Sequence, residues 1–125
     1  MSESYSVLPV TSEVRVWLQS EGRTAPQADG RRLTLQELKR VIASLPDVTA
    51  QWSLGQPFHD GSLTSTSGLH TTVVVGEPGT DSKPCEFHFR GGESEFIENI
   101  VRGIAALAGP QVIYAHSGSF IHVVQ

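Results

Sequence analysis

The sequence predicts a small α+β domain over residues 1–125, with an antiparallel or mixed β-sheet of about five strands and two or three helices packed mainly on one face. Three observations support this fold class. The length suits one domain that can bury a core without disulfides or metals. Two segments repeat apolar residues at helical spacing, whereas the β-like segments mostly follow one another through turns. Consecutive strands of this kind favour antiparallel or mixed sheets.

The most clearly marked helix is predicted over residues 33–45. Thr34 and Glu37 have the spacing of a capping box, in which each side chain accepts a hydrogen bond from the backbone N–H of the other residue. Leucine and isoleucine residues then recur along one helical face. Pro46 ends the segment, because proline cannot continue the helical hydrogen bonds.

Two other helices are predicted, one in each half of the chain. Residues 93–108 carry a long apolar stripe, begin with glutamates in the first turn and stop before a Gly-Pro pair. Residues 11–21 place Val14 and Leu18 at helical spacing. Val14, Val16 and Leu18 also alternate as in a strand. We therefore prefer a helix here and keep a strand as the alternative.

Five segments have the alternation or the β-branched content that is typical of strands. They are residues 48–54, 71–77, 85–90, 111–115 and 119–124. Residues 1–10 are interpreted as a short lead-in, and residues 55–70 as a long polar loop. Part of that loop, residues 62–67, is a candidate edge strand.

The segment 85–90 alternates most cleanly and supplies the first candidate site. Cys85, Phe87 and Phe89 are expected on one face of the strand, and Glu86, His88 and Arg90 on the other. If the helices leave the second face uncovered, these three residues form a charged stripe across an open sheet. An ion-paired solvent face is the simplest interpretation of the stripe, and a binding surface is the functional one.

A second candidate group lies at the start of the predicted long loop. It consists of Phe58, His59 and Asp60. A pocket between this loop and the sheet would bring the group close to His88. Convergent histidine and carboxylate groups in such a pocket suit a small ligand or acid–base chemistry. No residue is assigned a catalytic role.

Several chemistries have no signature in this sequence. There is no GxxxxGK[ST] or GxGxxG phosphate loop, no HxxxH, HExxH or CxxC metal spacing, and no G-x-S-x-G nucleophile motif. The only cysteine, Cys85, excludes an internal disulfide and is interpreted as a buried apolar residue. We therefore predict neither a cofactor nor a metal site.

The charge balance of the sequence limits the classes of molecule that we expect the chain to bind. The formal net charge is −4, and residues 63–125 hold three Lys or Arg against six Asp or Glu. This balance argues against a nucleic-acid binder, which needs a basic face, and is compatible with a basic protein partner. No apolar run reaches the ~18 residues of a membrane span, so no membrane association is expected. The N-terminus lacks the pattern of a secretory signal, and a cytoplasmic location is expected.

These observations lead to two functional hypotheses. The first is a non-enzymatic protein-binding domain. One form of it is an immunity-type inhibitor that covers the active site of a toxin, an analogy based on size, charge and fold class. A homodimer through the open sheet face or a sheet edge is compatible with this hypothesis and with the alternative that follows. The alternative is a small enzyme or small-molecule-binding protein with its site between the 55–70 loop and the sheet.

Overall fold

The structure, a computed structural model, describes residues 3–54, 59–76, 83–118 and 120–125. The strands are β1 Ser4–Pro9, β2 Val48–Leu54, β3 His59–Ser65, β4 His70–Gly76, β5 Glu86–Arg90, β6 Gln111–Ala115 and β7 Ile121–Val124. The helices are α1 Ser12–Ser20, α2 Leu35–Ser44 and α3 Ser94–Ala108. None of these helices has both the length and the apolar character needed to cross a membrane.

The strands form one sheet in the order β2-β3-β4-β5-β1-β6-β7, and every neighbouring pair is antiparallel. The α+β class is therefore confirmed, whereas the expected count of about five strands is too low, because seven are present. The helical crossover through α3 carries the chain from β5 to β6. These two strands run in the same direction but are not adjacent, because β1 lies between them and runs antiparallel to both.

The first strand corrects the prediction for the start of the chain. Residues 1–10 were expected to be a lead-in, but Ser4–Pro9 forms an interior strand. Tyr5 pairs with Phe89 of β5 on one side and with Ala115 of β6 on the other. These partners are distant in sequence, and pairing on both sides is what stabilises a segment of modest β propensity.

The third strand corrects the prediction of a long loop. Residues 59–65 form β3, which pairs with β2 along its whole length and with β4 on its other side. The strand is therefore interior, whereas the expected edge strand was placed at residues 62–67. Gly61 explains how this polar segment fits, since a Cβ there would lie only 2.8 Å from the Trp52 ring and 2.9 Å from Val73. The glycine leaves room for its neighbours on both adjoining strands.

One face of the sheet, called the inner face here, forms the main core with α2 and α3. Its strands contribute Val73, Val75 and Phe89, which are fully buried in one cluster with residues from both helices. The predicted capping box at the start of α2 is confirmed. Thr34 Oγ1 accepts from the backbone N–H of Glu37, and Glu37 Oε1 accepts from the backbone N–H of Thr34, both at 3.1 Å.

The opposite face, called the outer face, is covered at one end by α1. The preferred helix is confirmed over its strand alternative, with Thr11 as the N-cap. Leu18 of α1 is buried in a second cluster with Val112 of β6, and Leu8 and Val123 of the adjoining strands pack against it. Among the described residues, the apolar packing on the outer face is confined to β1, β6 and β7.

Candidate binding surface on the open sheet face

The outer surface of β2, β3, β4 and β5 is the candidate functional surface, called the open face below. On β5 the predicted alternation is confirmed, because Cys85, Phe87 and Phe89 are buried while Glu86 and Arg90 are exposed. His88 is half-buried between Glu86 and Arg90. The stripe predicted from the sequence therefore lies on a face that no helix covers within the described ranges.

A row of residues crosses the open face through His88, as the strand register defines it. From edge to centre the row runs Ser53, Asp60, Val74, His88, Ser6 and Tyr114. Asp60 and His88 are thus two strands apart, about 10 Å between backbones at the usual strand spacing, with Val74 between them. An acidic and a basic group therefore flank a small apolar floor.

His88 belongs to a cluster of polar rings at the boundary between the open face and α1. The ring centres of His88 and His116 are 6.0 Å apart. The ring centres of His116 and Tyr114 are 6.3 Å apart. His116 Nε2 and Ser6 Oγ form a hydrogen bond of 2.6 Å. Tyr114 in turn contacts Trp17 of α1 edge-to-face at 5.7 Å. The ring cluster is therefore anchored to the one helix that packs on this side.

A depression of about 220 Å³ opens beside this cluster. It is lined by Ser6, Val7, Leu8, Arg32, Val74, Gly76, Glu86, Phe87, His88 and Tyr114. At its rim Arg32 and Glu86 lie 3.7 Å apart, and the Glu86 side chain keeps 81% of its surface exposed. The pair is loose and solvated, so it contributes little to stability and leaves the carboxylate available to another group. The volume is below the range of most drug-sized ligand sites and suits a single side chain.

The charge state of His88 follows from its surroundings. Burial lowers the pKa of its imidazole below the usual value, and His116 and Arg90 lower it further, while Asp60 opposes them. The ring is therefore neutral at neutral pH. A neutral imidazole can both donate and accept a hydrogen bond, which suits recognition of polar groups.

Asp60 has the least satisfied side chain of the open face. Its Oδ1 atom is buried and has no hydrogen-bond partner among the residues that the structure describes. A buried carboxylate oxygen without a partner costs free energy, and a donor from outside the chain would remove that cost. Asp60 therefore offers a hydrogen-bond acceptor to a ligand or a partner.

The predicted loop site is not formed as expected. Asp60 lies in β3, so it belongs to the same sheet face as His88 and not to a loop above it. In the backbone register His59 pairs with Val75. Phe58 lies outside the described residues. The structure thus places Asp60 and His88 in one row of the open face, with Val74 between them.

Three residues that border the open face were missed by sequence reasoning. Ser6 lies in the segment interpreted as a lead-in, and His116 and Tyr114 come from the end of β6. The alternation of Ser4, Ser6 and Leu8 with Tyr5 and Val7 was the available signal, but it is weak in a short segment. His116 follows its strand and reaches Ser6 only because β6 pairs with β1.

The remaining chemically active groups do not assemble into a site. In the described ranges, no three His, Cys, Asp or Glu side chains are grouped closely enough to hold a metal ion. His122 lies on β7 and contacts Glu98 of α3 at 3.0 Å, remote from His88 on β5. Cys85 is buried, its Sγ donates to the Leu33 carbonyl at 3.4 Å, and burial raises the pKa of its thiol. It is therefore a packed thiol and not an activated nucleophile.

Comparison with known proteins yields no match to a family model, to a curated protein or to a solved structure. Function is therefore inferred from the residues of the open face alone.

Proposed function

We propose that the chain is a non-enzymatic protein-binding domain whose partner docks on the open face. The observation that carries this proposal is a polar sheet surface of four strands that no described helix covers, with a depression on the side where it adjoins β1. Sheet surfaces of this kind can bind another protein through many side chains without any chemical reaction.

The composition of the open face supports a protein partner over a nucleic acid. Glu86 and Arg90 are both exposed on β5, and Asp60 lies on the same face, so charges of both signs are present. Nucleic-acid surfaces are dominated by one sign, because they neutralise phosphates. Mixed charges instead provide specificity and orientation in protein complexes. The exposed Glu86 carboxylate suits a lysine or arginine of a basic partner.

The depression beside His88 suits an anchoring side chain of that partner. Protein interfaces place most of their binding energy in a few side chains that enter pockets, surrounded by weaker contacts. Here the depression has the apolar floor residues Leu8 and Val74 and the polar groups His88 and Ser6. An immunity-type inhibitor that covers the active site of a basic toxin remains one concrete form of this proposal, supported by size and charge.

One observation favours the alternative of a small-molecule or catalytic site. The 2.6 Å hydrogen bond between Ser6 and His116 has the geometry of a serine held by a base. Within the described chain no carboxylate hydrogen-bonds His116 to orient it, and the pair is exposed. A catalytic triad needs that third group. The alternative is therefore less well supported than partner binding.

The proposal is tested by affinity purification of the tagged protein from its native cells, followed by native mass spectrometry. The variants Glu86→Lys and Arg90→Glu reverse charges on the open face. Glu21→Lys and Arg40→Glu reverse matched exposed charges at the C-cap of α1 and on α2, outside that face. We expect a stoichiometric partner that both open-face variants weaken at least about tenfold, equivalent to about 1.4 kcal/mol, and that both control variants retain.

Two other results would count against the proposal. A partner retained equally by all four variants would place the interface elsewhere on the molecule. A chain that carries a bound small molecule and no protein would support the alternative, and Ser6→Ala and His88→Ala would then be the variants to test for loss of that molecule.

A further inference from the structure

The sheet has two edges that differ in length. One edge is β7, with four residues, and a helix packs beside each edge, α3 against β7 and α2 against β2. The other edge is β2, with seven residues that pair one to one with β3 and contain no bulge. Among the described strands, none pairs with the other side of β2.

The β2 edge lacks the features that usually prevent strands from pairing with other chains. Val48–Leu54 contains no charged residue and no proline. Natural edge strands are commonly shortened, bulged or charged, because an open row of N–H and C=O groups is a template for another strand. Lys39 lies close to β2, but its ammonium group is 5.3 Å from the centre of the Trp52 ring and so lies over that ring.

We propose that β2 pairs antiparallel with β2 of a second copy of the chain, about a two-fold axis that is perpendicular to the sheet and passes between the two Gln51 residues. The two copies would then share one continuous sheet. This interface is isologous, since the same strand is used on both sides. It is independent of the proposed function, because it uses the edge of the sheet and leaves the open face free.

The residue pattern of β2 supports a second copy as the occupant. In this register Thr49 lies opposite Ser53 of the second copy, Ala50 opposite Trp52, and Gln51 opposite itself. Hydroxyl therefore meets hydroxyl, a small residue meets a large one, and an amide meets an amide. No like charges face each other anywhere along the strand.

The alternative registers are less favourable. Moving the axis by one residue, to Ala50 or to Trp52, would leave two of the seven residues of β2 without a partner in the second strand, whereas the axis at Gln51 pairs all seven. In the remaining registers, an odd-numbered residue of one copy would lie opposite an even-numbered residue of the other. The outer face of one copy would then continue into the inner face of the other, and core residues would be exposed. Both arguments select the register centred on Gln51.

The test measures self-association by sedimentation equilibrium and native mass spectrometry over a series of protein concentrations. Gln51→Lys places two lysines opposite each other, and Gln51→Glu places two glutamates there. We expect each variant to raise the dimer dissociation constant by roughly tenfold or more. An equimolar mixture of the two variants should form a heterodimer, because lysine then faces glutamate.

The matched controls are Gln19→Lys and Gln19→Glu, which make the same changes at an exposed position of α1. They should associate like the unmodified chain. The proposal is overturned if the unmodified chain stays monomeric up to its solubility limit, or if the Gln51 variants dimerise as well as the controls do. Slower amide hydrogen exchange in residues 48–54 of the dimer would confirm the β2 edge, and unchanged exchange there would contradict it.

Discussion

The two faces of the sheet are built from alternate residues of the same strands, yet they have opposite characters. On the inner face Val73 and Phe89 are fully buried against two helices. Their sequence neighbours on the outer face, Thr72, Val74 and His88, remain partly exposed. A shift of one residue in any of these strands would exchange the two sets, so the buried face also fixes which residues the open face presents.

Because of this difference, we expect stability to depend mainly on the inner face and partner binding mainly on the open face. Apolar burial on the inner face supplies most of the free energy of folding, because hydrophobic burial is its dominant favourable contribution. We expect polar residues of the open face to add little to that sum, so that they can be changed without unfolding the chain. The predictions below test this separation, beginning with the largest expected effect.

The largest effect is expected for Phe89→Ala on the inner face of β5. Loss of this fully buried ring should lower the free energy of unfolding by about 3–5 kcal/mol, since a cavity remains. His88→Ala, one residue away on the outer face, should cost about 1 kcal/mol or less. Urea unfolding monitored by circular dichroism measures both. Similar losses for the two variants would contradict the separation of the faces.

The next effect tests the close packing around β3. In Gly61→Ala the new methyl group would overlap Trp52 and Val73, which should lower the free energy of unfolding by about 1–3 kcal/mol. Gly76→Ala is the matched control on β4, where a Cβ meets no atom within 4 Å. Its expected change is within about 0.5 kcal/mol. Equal urea midpoints for both variants would show that β3 can shift away from its neighbours.

A smaller effect is expected at the capping box of α2, one of the two helices that cover the inner face. The Arg31 guanidinium and the Thr34 backbone N–H lower the pKa of Glu37 to about 2. Because this pKa is below its ordinary value of 4.5, ionised Glu37 stabilises the fold above about pH 4.5, and that contribution is lost as the pH falls towards 2.

Glu37→Gln should therefore be less stable than the unmodified chain near neutral pH, and the gap should close in acid. Urea midpoints of the two proteins, measured from about pH 7 to pH 2, provide the test. A gap that stays constant over this range would indicate that the carboxylate charge does not contribute.

The smallest effect concerns His88 on the outer face. Its pKa is lowered in the folded chain, so the unfolded chain binds a proton more readily and stability should fall as the pH decreases through about 6.5. NMR titration of the imidazole measures the pKa directly. Asp60→Asn should lower the pKa further and His116→Gln should raise it. Shifts in the opposite directions would contradict the arrangement of these three side chains.

Features with a local signal were predictable from the sequence. The capping box of Thr34 and Glu37 was identified because its hydrogen bonds join residues three apart. Residues 85–90 revealed their alternation because strand periodicity is also local. Glu86, His88 and Arg90 were therefore assigned to the correct face before their neighbours were known.

Features that depend on distant partners were not predictable. Segment 59–65 is mostly polar and small, and it becomes a strand because β2 and β4 pair with it on both sides. The contact of Ser6 with His116 spans 110 positions of the chain. Strand propensity reflects packing against neighbours, so a segment whose neighbours are unknown cannot be assigned reliably.

The position of β1 has a consequence for the order of folding. This strand is made before both of its partners, because β5 and β6 follow it by many residues in the chain. It must remain unpaired while they are synthesised, and its insertion completes the sheet. Non-local pairing of this kind slows folding. We therefore expect docking of β1 between β5 and β6 to be a late step, which joins two separately formed parts of the sheet.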